Sequence, residues 1–230
     1  MKIAADFKQR VVVHSNSLEW VESPMQGVHR RALDRVGDEV ARATTIVRYA
    51  PGSEFSSHVH TGGEEFIVLD GIFQDEHGDF PSGSYIRNPP QSKHQPRSET
   101  GCIIFVKLWQ FQPDDRTHVR LQTHFMGSVP DADFKGISIT PLYKDNIEEV
   151  SLLHFEAEAA ITFDAKNGAE LFVLSGSIHE QADTLSKYSW LRIPLDGKVN
   201  AKAGKEGAKV WLKTGNLIDL ENQLSRVENA

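Results

Sequence analysis

The strongest constraint on the fold of this chain is a repeat. Glu65-Phe-Ile-Val-Leu-Asp-Gly71 is echoed by Glu170-Leu-Phe-Val-Leu-Ser-Gly176. Ser84-Tyr-Ile-Arg-Asn-Pro89 is echoed by Ser189-Trp-Leu-Arg-Ile-Pro194. Both pairs stand 105 residues apart, with no gap between them. Two matches at one offset point to a duplicated unit. The repeated runs are short, apolar and rich in β-branched and aromatic side chains, which suits strands. Thr44 to Tyr49, ending at Pro51-Gly52, and Ile103 to Trp109 are further strands of this kind. Turn residues are dense at 61–63, 75–78, 81–83 and 88–90. Short strands at this spacing predict an all-β sandwich or barrel and not an α/β sheet. The polar, proline-bearing stretch Gln112-Pro113-Asp114-Asp115 sets a boundary, so residues 1–113 and 114–230 are expected to form one barrel each. Gly136 to Tyr143 should echo the region before the first hairpin. The only helix expected covers Asn216 to Asn229, with Leu217, Leu220 and Leu224 on roughly one face.

Composition narrows the function classes. The net charge of −7 gives no electrostatic reason to bind nucleic acid. One cysteine, Cys102, excludes an internal disulfide and any cysteine-based zinc site. The opening Met-Lys-Ile-Ala-Ala-Asp-Phe-Lys lacks the apolar stretch of a signal peptide, and no apolar run is long enough to span a bilayer. A soluble cytoplasmic protein is expected.

The chemistry gathers in the first repeat. His58 and His60 flank Val59, so on a strand both imidazoles face the same way, about 7 Å apart at Cα. Thr61-Gly62-Gly63 can reverse the chain and bring Glu64 back toward them. His94 follows the Pro89-Pro90 corner and arrives from another strand. Three neutral nitrogens and one carboxylate form a ligand set for a divalent transition metal, and zinc, iron, manganese and nickel all accept it. A lone His-X-His more often marks ordinary histidines; the flanking Gly52, Gly71 and Gly83 and the second block make the stronger case. His14, His29, His77, His118, His124, His154 and His179 have no such frame. Glu65 should point away from the site by strand parity. Tyr85, Arg87 and Gln95 could reach it but read as barrel residues, and Cys102 as a small buried hydrophobe.

These two blocks resemble the paired motifs of the cupin superfamily, across both halves of the chain. The resemblance implies two tandem jelly-roll barrels, with His58, His60, Glu64 and His94 as metal ligands in the first. Gln91 and Ser98 depart from the usual glycine and asparagine, and neither is a ligand position. Thr45-Ile-Val-Arg-Tyr-Ala-Pro-Gly52, His60 to Gly71 and Gly101-Cys102 are similar to the cupin domain of ChrR-type anti-sigma factors. That likeness implies one zinc ion, a regulatory role in sensing oxidative stress or a ligand, and a sigma factor or other regulator as partner. ChrR proteins hold the sigma factor through a His-X3-Cys-X2-Cys segment, which one cysteine cannot build. Related stand-alone cupins include iron dioxygenases that cleave diketones, which makes a metal-dependent dioxygenase acting on a small carbonyl or diketone substrate the competing expectation.

The repeat also tests the site. The offset carries His58 to Phe163, His60 to Ala165, Glu64 to Ala169 and His94 to Val199. The second barrel is therefore expected to be degenerate, with an apolar interior, and to serve packing or homo-oligomerisation. An apolar ligand pocket there is the sharper alternative.

Overall fold

The computed structural model describes residues 1–230. The chain is nearly all β, with one α-helix, Leu220–Glu228, and it builds large antiparallel sheets of the jelly-roll kind. No helix is long and apolar enough to cross a membrane.

Two compact units emerge, and a single cut at 113/114 does not separate them. The first comprises residues 1–5, 19–125 and 221–230; the second comprises 6–18 and 126–220. Strand pairing gives the reason. Val119–Gln122 is the last strand of the first unit's sheet, beside Ser84–Asn88. Val11–His14 takes the matching place in the second unit, beside Ser189–Ile193. The segment read as a linker is held as well, because Asp115 accepts from Arg87 Nη2 at 3.0 Å. The helix belongs to the first unit and starts later than expected. It buries Gln223 and Val227 in place of a leucine stripe, because Arg42 Nε donates to Gln223 Oε1 at 2.8 Å.

The duplication is visible strand by strand. In the first unit the order is Lys2–Ile3, Val28–Gly37, Ala41–Tyr49, Cys102–Leu108, Glu64–Asp75, Ser84–Asn88, Val119–Gln122. In the second it is Val129–Pro130, Ile137–Lys144, Glu149–Phe155, Gly197–Thr214, Ala169–Glu180, Ser189–Ile193, Val11–His14. The long repeated strand carries the same irregularity in both. Pairing skips Leu69 opposite Ile103/Ile104 and skips Leu174 between Val173 and Ser175. Two residues after each bulge stand Gly71 and Gly176, at φ 70° and 69°. A Cβ on either would lie about 2 Å from the carbonyl oxygen of Gly101 or Gly207. Only glycine satisfies both the left-handed backbone and that approach.

Each sheet has an apolar inner face. Phe66, Val68, Phe73, Ile86, Ile104 and Val106 form the first core, and burying a side chain of this size contributes about 1.5–3 kcal/mol. The other face of the same strands is buried but polar. Glu65 accepts from the Tyr85 hydroxyl and lies 3.4 Å from Arg87 Nη1. Glu170 accepts from Trp190 Nε1 at 3.0 Å and Asn216 Nδ2 at 2.7 Å.

Candidate metal centre

The site sits where a small two-stranded sheet meets the first unit's core. His58–His60 pairs antiparallel with Ser92–His94, and His94 lies directly opposite His58. Strand parity keeps His60 on the face of His58. The three rings accordingly meet edge to face, with centroids 4.7, 5.2 and 4.6 Å apart. One nitrogen from each lies within 4.8 Å of the others. Glu64 opens the next strand, and its Oε2 lies 3.5 Å from His60 Nε2 and 3.6 Å from His94 Nε2. The four residues singled out from the sequence are thus together. Tyr85 and Arg87 turn to Glu65 on the opposite face. Gln95 bonds to Glu54 and Glu76 instead.

Hydrogen bonds outside the centre orient the imidazoles. Asp75 Oδ2 lies 3.2 Å from His94 Nδ1, and a carboxylate can only accept, so Nδ1 carries the proton. His58 Nδ1 is 3.3 Å from the carbonyl of Ser56 and carries its proton for the same reason. In neutral rings both Nε2 atoms keep their lone pairs for the centre. His60 Nε2 and His94 Nε2 are buried with no hydrogen-bond partner. Buried nitrogens are rarely left so, and a bound ion would satisfy both.

The electrostatics favour ligand forms. Burial lowers the pKa of His60, helped by His94 and His58 and opposed by Glu64, so its imidazole stays neutral more readily. Burial alone would raise Glu64, but His60, His94, His58 and the Asn88 amide, which donates at 3.3 Å, hold it below the usual range. Burial opposes the charge on His94 too, yet the Asp75 hydrogen bond and Glu64 raise it. A metal would have to displace that proton.

Asp75 escaped the sequence reading because strand parity assigns residues 64 and 75 to opposite faces. The bulge at Leu69 reverses the parity between them. The Asp-Gly turn inside a long strand pattern was the available signal. In the second unit Ala165, Ala169 and Val199 lie in the apolar core with Phe163 packed against it, so the interior there is apolar as expected.

A cavity of about 290 Å³ adjoins the centre, with His58, His60 and Glu64 in its wall. Val28, Val47, Ile104, Val106 and Leu108 are among its apolar lining residues.

Residues 8–112 match the family described as the ChrR cupin-like domain. No curated protein matches the chain. Among solved structures, a candidate dioxygenase from Nostoc punctiforme is 15% identical, over 92% of this chain and 84% of its own, at a TM-score of 0.73. The Escherichia coli pirin YhhW in complex with nickel(II) is 14% identical, over 90% of this chain and 98% of its own, at 0.65. Oxalate decarboxylase from Bacillus subtilis, with Mn(II) centres, is 10% identical, over 89% of this chain and 76% of its own, at 0.64. At such identities the likeness is one of fold.

Proposed function

From the match of residues 8–112 to the ChrR cupin-like family we propose that the chain is a cupin and that His58, His60, Glu64 and His94 bind one divalent transition metal ion. The observation that carries the reading is the convergence of two unpartnered, buried imidazole nitrogens on the Glu64 carboxylate. Zinc is proposed first from the ChrR likeness; iron, manganese and nickel suit the same donors. When bound, the ion supplies Lewis acidity and coordination positions that four protein ligands leave open.

The cavity favours small-molecule chemistry over a purely structural metal. The apolar part of its wall would shield a ligand held beside these residues from water. The function proposed is therefore that of a metal-dependent dioxygenase acting on a small carbonyl compound. His60 and Glu64 hold charge and lone pair toward the centre, and Asp75 fixes the His94 ring. The ChrR match supports a second reading, a regulatory module whose ligand or metal state sets its affinity for a sigma factor or another regulator.

Metal analysis of protein purified without added metal tests the centre. About one ion per chain is expected, lost on dialysis in His58→Ala. Two ions per chain would overturn the assignment of a single site. Oxygen uptake by the iron(II)-loaded protein tests the dioxygenase reading, and no uptake with any small carbonyl compound would sink it. Binding of a purified sigma factor, with and without peroxide, tests the regulatory one.

A further inference from the structure

The cavity that meets the metal-binding residues also carries two arginines, Arg30 and Arg35. They come from one strand, Val28–Gly37, and strand parity alone would place them on opposite faces. A bulge at Leu33 shifts the register between Ala32 and Asp34 and returns Arg35 to the face of Arg30. Neither arginine is neutralised by an ion pair. Arg30 makes no side-chain hydrogen bond, and Arg35 donates only to the backbone carbonyl of Asp38. Burial, and then the nearby Arg30 charge, press the Arg35 guanidinium below its ordinary pKa, and the Asp38 carboxylate opposes them. Tyr49 lines the same cavity as Arg30 and Glu64. The only acidic groups on the wall are Glu64 and Glu39, and Glu39 is exposed.

Two like charges on an apolar wall are unfavourable unless an anion joins them. We infer that Arg30 and Arg35 bind the carboxylate of a small organic acid, with the acid's apolar body against Val47, Ile104 and Val106. Guanidinium pairs suit this task because their planar N–H forks match a carboxylate bidentately. A cavity of about 290 Å³ limits the guest to a small molecule. The inference rests on the proposed metal site only for its placement of the acid's other end beside His58, His60 and Glu64. It selects an acid over a neutral diketone as the ligand class.

Calorimetric titration of the metal-loaded chain with benzoate and hexanoate, each against its neutral amide, tests the proposal. The acid is expected to bind about tenfold tighter than the amide. Arg30→Gln and the Arg30→Gln/Arg35→Gln pair should bring that ratio close to one while metal content stays unchanged. Arg31→Gln removes the same charge from the opposite face, where Arg31 stacks on Trp20 at 4.2 Å, and should keep the preference. Equal binding of acid and amide, or no binding of either acid, would overturn the inference. So would a preference that survives in the double variant, which would put the carboxylate on the metal. Protein stripped with EDTA separates the two readings: the acid preference should persist there, weakened, whether or not a metal was present at purification.

Discussion

Asp75→Asn tests how the site is oriented without removing a ligand. The Asp75 carboxylate is 4% exposed and has two duties. Oδ1 accepts the His77 backbone N–H at 2.7 Å, and Oδ2 accepts from His94 Nδ1 at 3.2 Å. Asparagine keeps the size but offers one acceptor where two are needed. With its carbonyl toward His77, its NH₂ faces His94 Nδ1 and favours the tautomer protonated at Nε2, the nitrogen aimed at Glu64. With its carbonyl toward His94, its NH₂ meets the His77 N–H donor to donor. The second orientation leaves a buried donor unpartnered, at a cost of about 1–3 kcal/mol, and the first keeps both bonds by placing the proton on the nitrogen a metal needs. Loss of a histidine-orienting group of this kind lowers metal affinity about 10- to 100-fold. Competition against a chromophoric chelator measures that change, with circular dichroism to establish that the variant is folded. A folded Asp75→Asn protein that binds zinc and iron(II) as tightly as the wild type would refute the tautomer argument.

Two other outcomes follow from the frame around the site. Burial, aided by Asp70 and opposed by Ser98, pushes the Cys102 thiol up to about 11, so near pH 8 only about one part in a thousand is thiolate. Ellman's reagent should label Cys102 only after unfolding, and rapid labelling of the native protein would remove the claim that this thiol is inert. Gly71→Ala and Gly176→Ala should each cost about 1–3 kcal/mol or more, because each forces alanine into a left-handed backbone against a carbonyl. Urea midpoints measure both, and a neutral Gly176→Ala would mean the two copies do not share this device.

The parts of the fold that follow period two were legible in the sequence. The offset of 105 residues located the long strand and its neighbour in each copy, and the structure pairs them in the same register: Glu65 opposite Arg87, Glu170 opposite Arg192. Parity alone put His58 and His60 on one face. It failed wherever a bulge intervenes, as at Leu69 for Asp75 and at Leu33 for Arg35. A bulge depends on how two strands meet, and a single strand's pattern does not encode it. Parity also says which face a side chain takes, not whether that face is covered. Glu65 does point away from the site, yet it is 1% exposed and bonded to Tyr85 and Arg87. The exchange of residues 6–18 and 221–230 between the units was equally hidden, because edge strands and short helices carry little local signal about the sheet they join.

What the two copies keep and lose also argues for the site. Both retain buried charges across the three central strands: Arg87, Glu65 and Lys107 in one, Arg192, Glu170 and Lys213 in the other. Removing one member of such a network leaves an uncompensated charge, at about 3–5 kcal/mol, so the set persists or goes as a whole. The positions proposed to hold a metal differ in kind. Phe163, Ala165, Ala169 and Val199 occupy them in the second copy, within or against an apolar core that folds without polar groups there. The first copy instead carries buried nitrogens with no partner at His60 and His94, each costing about 1–3 kcal/mol if nothing binds. The same sheet plainly tolerates the cheaper apolar choice. A cation ligated by those nitrogens and by Glu64 would offset that cost, which is the reason proposed for retaining imidazoles and a carboxylate in one copy.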